Sequence, residues 1–417
     1  MKIILISVGT RGDVEPFLAL AEYLREANHE VIAAFPEQFA DLAADANIPF
    51  FGLTRKFLEL IDSEDGKMLM GGKGSLWTKA RTLFRMYKVG MRVNKVLVDE
   101  QQFLVEREKP ELILYNGKST FPIIWSVLNP GRAIMVSPVP CLIHPVNEYP
   151  HIGITLRMGT ILNRFSYRLG NLGLFKSILN PTKDIRKEWG ISNKKIREAV
   201  FQNKMVFTVS PSLFPRPDYW PDHVRVMGYH ERNKKSSWKP DDALLGFLEK
   251  YPKVIFITFG SMTNPDPVGK SAVIISVLKK HQIPAIINTA AGGLIKPKGE
   301  HSDLLHFVSQ IPYDWIFPKV HAVIHHGGSG TTHTALKYGC ASMIISHIID
   351  QHFWSRLIGD IGVGPEGIRL TKLTRDRLEP KLLDLFTNPI YKTNAVNIGQ
   401  QMAVENYKSQ LVDFVTS

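Results

Sequence analysis

Only two cysteines, Cys141 and Cys340, occur in 417 residues. That excludes a disulfide framework and a cysteine-built metal centre, and leaves both as small buried apolar residues. No apolar run reaches the length of a membrane-spanning helix. The opening Met1–Val8 reads as a strand, too short and too soon followed by Gly9-Thr10-Arg11-Gly12-Asp13 to be a signal peptide. A soluble, cytoplasmic protein of a reducing compartment is expected. The Gly-x-x-x-x-Gly-Lys-Ser/Thr phosphate loop is missing, and Gly9–Asp13 is not Gly-x-Gly-x-x-Gly. Nucleoside triphosphate hydrolysis and nicotinamide chemistry therefore have little support. No Asp-x-Asp pair and no His, Cys and Glu at metal spacing occur, so no metal and no cofactor are expected. The basic residues are spread out and no nucleic-acid motif is present, so nucleic acid is not an expected partner.

What is present is a globular composition, 44% hydrophobic and 22% charged, with a net charge of +12. That charge favours anionic partners: phosphorylated substrates or an anionic membrane surface. The length exceeds one ordinary core, so two domains are expected. Strand and helix patterns alternate through both halves. Ile3–Val8, His29–Phe35, Ile48–Phe51, 112–115, 133–136 and 205–209 read as five or six strands of one parallel sheet. A second series carries strands at 254–259, 285–288, 305–308, 320–324 and 341–346. The polar stretch 229–245 lacks periodicity and reads as a linker. The expected architecture is α/β: two doubly wound, Rossmann-like domains, 1–228 and 246–395, facing across a cleft, with a closing helical segment 396–417.

The chain is organised around Val323-Ile-His-His-Gly-Gly-Ser-Gly-Thr-Thr-His333. A buried strand passes through a glycine turn into a helix over Thr331–Tyr338, closed by Gly339. Glycines let a backbone approach an anion, and a helix start adds about half a positive charge. His326 can donate, or neutralise charge if protonated; His325 reads as a packed strand residue. A second glycine turn, Phe259-Gly260-Ser261, follows another strand of the same sheet. Two such turns at one carboxyl edge suit a diphosphate. The plain alternative is a pair of structural turns with a capping Thr.

Asp13, just past the first strand, is the leading carboxylate. It suits a general base that takes a proton from an acceptor hydroxyl, and it equally suits an N-cap before Val14-Glu15-Pro16. Asp350-Gln351 can grip vicinal sugar hydroxyls or cap a helix. Residues 77–98 read as a helix with Arg81, Arg85, Lys88, Arg92 and Lys95 on one face beside Leu83, Phe84, Tyr87 and Met91. Such a face lies on an anionic membrane or is simply solvated. Two irregular stretches, 62–75 and 138–171, are candidate substrate loops.

Gly9-Thr-Arg-Gly-Asp-Val-Glu-Pro-Phe-Leu-Ala-Leu-Ala21, Phe259–Met262, Val308–Pro318, His325–Thr332 and Asp350–Trp354, in this order, resemble the GT-B-fold family 1 glycosyltransferases. The branch most similar is that of the sterol glucosyltransferases and bacterial natural-product glycosyltransferases. The resemblance implies a nucleotide sugar donor, UDP-glucose, held mainly by the second domain. Its base would lie near Val308 and Gln310. Its diphosphate would contact Gly260, Ser261, His326, Gly328, Ser329, Gly330 and Thr331, with Thr10 and Gly12 contributing from the first domain. Asp350 and Gln351 would hold sugar hydroxyls, and Asp13 would deprotonate a lipophilic acceptor alcohol. Inversion without a metal is implied, the final helix would return to the first domain, and 62–75 and 138–171 would shape the acceptor pocket. The pattern departs from plant members, where His stands in place of Asp13 with an Asp partner; here Asn116 occupies the partner position. The alternatives are a deoxysugar transferase acting on a lipid hydroxy acid, a sugar-nucleotide epimerase and a catalytically silent binding module.

Overall fold

The computed structural model describes residues 1–69, 76–232 and 238–417. The expected loop 62–75 and linker 229–245 therefore fall partly on residues 70–75 and 233–237, outside the described residues. The chain divides into two compact units. The first takes residues 1–69, 76–232 and 406–417; the second takes 238–405.

The first unit is built on β1 (Lys2–Ile6), β2 (Glu30–Pro36), β3 (Phe50–Leu53), β4 (Leu112–Tyr115), β5 (Ala133–Ser137), β6 (Met205–Phe207) and β7 (Val224–Val226). Their order is β3-β2-β1-β4-β5-β6-β7, and every pairing is parallel. Parallel sheets are covered on both faces, so their strands are continuous apolar runs. Ile3, Ile4, Leu5 and Ile6 accordingly show no exposure. Seven strands stand where five or six were expected. The extra β7, Val-Arg-Val, is too short to carry a pattern.

The helix Arg11–Glu26 lays Phe17, Leu18, Leu20 and Leu24 onto this sheet. It starts five residues before Pro16, the expected first turn. Pro16 lies inside the helix and removes only one early hydrogen bond. The helix Leu76–Glu108 is longer than expected, running on past Val98. The closing helix Lys408–Thr416 packs Leu411 and Val415 into the same core.

The second unit holds β8 (Ile255–Thr258), β9 (Ala285–Asn288), β10 (Leu305–Val308), β11 (Ala322–His325), β12 (Ala341–Ser346) and β13 (Ile368–Arg369). The order is β10-β9-β8-β11-β12-β13, again parallel. In both sheets the chain order reverses beside the unit's first strand, between β1 and β4 and between β8 and β11. Loops at the carboxyl ends of such neighbours splay apart and leave a crevice, the ordinary ligand position of this topology. Among the described residues no helix is long and apolar enough to cross a membrane.

Candidate functional site

In the first unit, the crevice between β1 and β4 receives Asp13 from the first turn of helix Arg11–Glu26 and Lys118 from the loop after β4. Thr10, not Asp13, is the N-cap of helix Arg11–Glu26. Asp13 sits three residues later, and its Oδ2 accepts from the Thr10 backbone N at 2.8 Å. The N-cap alternative is thereby corrected, although the carboxylate does serve the cap from inside the helix. Lys118 donates to Oδ1 at 2.7 Å and to Oδ2 at 2.8 Å. The Asp13 side chain keeps 20% exposure and that of Lys118 42%, so the pair borders solvent. Gly9, at φ 137°, passes so close that a Cβ would lie 2.2 Å from Asp13 Oδ2. Only glycine allows both that backbone and that carboxylate.

Asn116 does not replace the missing acidic partner. It is buried and splints β4 to β1, donating to Val8 O at 2.7 Å and to Ser7 Oγ at 3.1 Å. Sequence reasoning missed Lys118. Its signal was positional: a cation two residues past Asn116, in the loop after the strand that must neighbour β1 in a doubly wound sheet. Thr10 and Gly12 lie in the same turn as Asp13, Gly12 being exposed.

In the second unit the loops after β8, β11 and β12 converge on His326. A Cβ on Gly260 would lie 2.9 Å from the His326 ring, and one on Gly328 would lie 2.5 Å from its Nε2. The two glycines thus make room for an imidazole as much as for a ligand. Gly328 caps the helix Ser329–Lys337, which begins two residues before the expected Thr331. The first N–H groups of a helix lack intrahelical acceptors and point outward from its start. Ser329, Gly330 and Thr331 form that first turn. Thr332 and Thr334 turn their hydroxyls back onto Gly328 O and Gly330 O, at 2.9 and 2.8 Å.

Burial holds the His326 ring well below its ordinary pKa, with His325 and His347 adding to the effect. Its Nδ1 is buried without a hydrogen-bond partner. Burial likewise brings His325 to about 3 and His347 to about 4. The cradle's imidazoles are therefore neutral at physiological pH. An anion here would be received by N–H dipoles.

Gln351 and Asp350 open the helix Ile349–Asp360. Gln351 Oε1 accepts from His347 N at 2.7 Å and from Ile348 N at 3.1 Å, so its carbonyl end serves as a cap. Gly327, at φ 94°, leaves only 3.1 Å between a Cβ and that of Gln351, which ties this helix to the glycine loop. Phe259 packs edge-on against His347 at 4.7 Å between centroids. Ser261 is exposed just past β8, next to Gly260. Val308 ends β10, at the sheet's edge, and its carbonyl accepts from Thr289 N at 2.8 Å; Gln310 follows, exposed. The second unit thus gathers Gly260, Ser261, His326, Gly328, Ser329, Gly330, Thr331, Asp350 and Gln351 on the carboxyl ends of β8, β11 and β12. Val308 and Gln310 lie on the same edge, two strands beyond β8.

Residues 3–112 match the Glycosyltransferase family 28 N-terminal domain. Residues 297–415 match the C-terminal domain described as Erythromycin biosynthesis protein CIII-like. A sterol 3-beta-glucosyltransferase of Arabidopsis thaliana is 26% identical over 430 residues, covering 97% of this chain and 64% of its own. The chain thus spans somewhat less than two thirds of that relative. Among solved structures, the glycotransferase of kitacinnamycin has a TM-score of 0.71 at 15% identity, over 100% of this chain and 98% of that one. A Streptomyces glycosyltransferase complexed with thymidine diphosphate has a TM-score of 0.60 at 18% identity, over 100% and 99%. With two parallel sheets, a loop cluster at each switch point and these similarities along its length, the chain has the GT-B fold and is similar to glycosyltransferases built on it.

Proposed function

We propose that the protein transfers a hexose, glucose from UDP-glucose, to a hydroxyl of a lipophilic acceptor such as a sterol, polyketide or flavonoid, inverting the anomeric centre. The observation that carries this reading is the neutral cradle at the start of helix Ser329–Lys337, with His326 set between Gly260 and Gly328. Preorganised N–H dipoles aimed at a leaving group stabilise the charge that develops there and need no reorganisation during the reaction. A nucleoside diphosphate is the leaving group this suits, and the thymidine diphosphate complex of a structural neighbour is consistent with it. The Arabidopsis relative, a sterol 3-beta-glucosyltransferase, supports glucose and a sterol-like acceptor.

The chemistry is one displacement. The acceptor oxygen forms a bond to the anomeric carbon as the bond from that carbon to the diphosphate oxygen breaks. The diphosphate leaves with the electron pair onto the helix start. The acceptor proton passes to an Asp13 carboxylate oxygen. An alcohol is a far weaker acid than a carboxylic acid, so the transfer occurs late, as the new bond forms. Asp350 and Gln351 would position sugar hydroxyls, and Val308 and Gln310 would flank the base. Peripheral contact with a membrane would supply lipophilic acceptors.

Asp13→Asn keeps the shape and the Thr10 contact but cannot take a proton. It should lower turnover a hundredfold or more, on the order of general-base contributions. UDP binding by calorimetry should be unchanged. A loss under about threefold would leave Asp13 as a helix-capping residue only.

A further inference from the structure

The helix Thr160–Leu179 is inside out for a helix in water. Its inner face is polar: Asn163, Ser166, Tyr167 and Asn171 are buried. Each bonds to the stretch 143–151 beneath it. Asn163 donates to Asn147 O at 2.8 Å, Ser166 accepts from His151 N at 2.8 Å, and Asn171 donates to Ile143 O at 3.1 Å. Its outer face is apolar. Ile161, Phe165, Leu169 and Leu172 follow one another at helical spacing and are 84%, 49%, 51% and 53% exposed. Leu162 on the helix and Leu156 just before it add to the patch, which exceeds the scattered apolar residues of an ordinary surface.

The twenty residues of the helix contain no acidic side chain, and Arg164, Arg168 and Lys176 are exposed along it. Beside the arginines lies a largely apolar cavity of about 490 Å³, lined by Ile161, Arg164, Phe165 and Arg168 of the helix together with Ile143 and Phe201. Phe201 precedes β6 by a few residues, and its carbonyl meets His223, which immediately precedes β7. Phe201 thus lies near the starts of β6 and β7, and none of the cavity's lining residues is among those of the site described above.

An apolar helix face edged by cations, with an apolar slot beside it, complements one kind of surface: apolar below its plane and negatively charged at it. We propose that helix Thr160–Leu179 docks the first unit onto an anionic phospholipid surface, with the cavity beside Arg164 and Arg168 receiving an acyl chain. This deepens the peripheral membrane contact proposed above and assigns it to a surface other than helix Leu76–Glu108. In that helix part of the basic stripe is already engaged, Arg85 by Asp65 and Lys95 by Asp99.

The test is sedimentation of the full chain with vesicles and without nucleotide sugar, so that it stands apart from any transfer activity. The wild type should partition at least tenfold more strongly to phosphatidylcholine vesicles containing about a third phosphatidylglycerol than to pure phosphatidylcholine. The exposed-face variant Ile161→Glu with Leu169→Glu, and separately Arg164→Glu with Arg168→Glu, should each lose at least tenfold, with circular dichroism unchanged. Equal partitioning to neutral vesicles, or full retention in both variants, overturns the proposal. So does loss confined to Arg81→Glu with Lys88→Glu and Arg92→Glu, which places the contact on the other helix. A lipid-free dimer dissolved by Ile161→Glu assigns the face to a second copy of the chain and overturns it as well.

Discussion

Lys118 changes how Asp13 is to be understood. A carboxylate beside a histidine base would orient an imidazole; at Asp13, the proposed base, a cation orients the carboxylate itself. Both Asp13 oxygens are engaged by the Lys118 ammonium, and Oδ2 also takes the Thr10 N–H. Loss of the ammonium leaves the carboxylate tethered at one oxygen and free to swing. Displacements on the order of 1 Å from productive geometry cost up to about a hundredfold in rate. Lys118→Met should therefore lower kcat tenfold or more and leave the donor KM within about twofold, while Lys118→Arg restores most of the rate. Steady-state kinetics with both variants decides this; equal losses in Met and Arg would mean that the ammonium does not position the base. Asp13 itself was legible in the sequence because the residues that hold it in its turn are neighbours. Lys118 was not, because its partner lies 105 positions away and only the β1–β4 pairing unites them.

The elements repeat this division between local and distant causes. β4, β9 and β12 coincide with their apolar runs to the residue, since each is a buried strand bounded by turn residues, and half-buried β10 at the sheet edge does so too. β7 and β13 have three and two residues and lie at sheet edges, where pairing with a neighbour, not pattern, makes the strand. The early start of helix Arg11–Glu26 is not legible because Pro16 imitates a first-turn proline, while the actual start is set by Thr10 and Asp13. At the other end of the glycine motif the reading was secure: Gly339 closes helix Ser329–Lys337 at φ 64°. That glycine is doubly constrained, because a Cβ there would also lie 3.2 Å from Val396 Cα in the helix Pro389–Ala403. Gly339→Ala combines left-handed strain with a backbone contact that cannot simply rotate away. It should cost about 1–3 kcal/mol, measured by denaturant unfolding. A cost below about 0.5 kcal/mol would show that the two helices separate without penalty.

For the molecule as a whole, the neutrality of the second unit's cradle has a thermodynamic consequence. His325, His326, His333 and His347 are all buried, and burial is the first cause of each one's lowered pKa; His333 and His347 stand at about 4. A ring that resists protonation when folded lets the unfolded chain bind the proton first. Stability is then full above the ordinary histidine value of 6.5, falls as the pH drops from there towards 4, and levels off below the folded values. For a single ring the interval is worth on the order of 3 kcal/mol, so two or three together approach the roughly 5–15 kcal/mol that holds a domain folded. The first unit carries this liability in fewer places, chiefly His144, at about 4, and His230. The buried rings that leave the cradle without a formal charge should therefore make the second unit the acid-labile part of the chain. Calorimetry between pH 7 and pH 5 should show its transition fall by more than about 10 °C, while hydrogen exchange across 322–337 opens before that across 2–6. A fall of less than about 3 °C, or earlier opening of β1, would mean that these rings are protonated in the folded state, and the N–H cradle would then carry charge of its own.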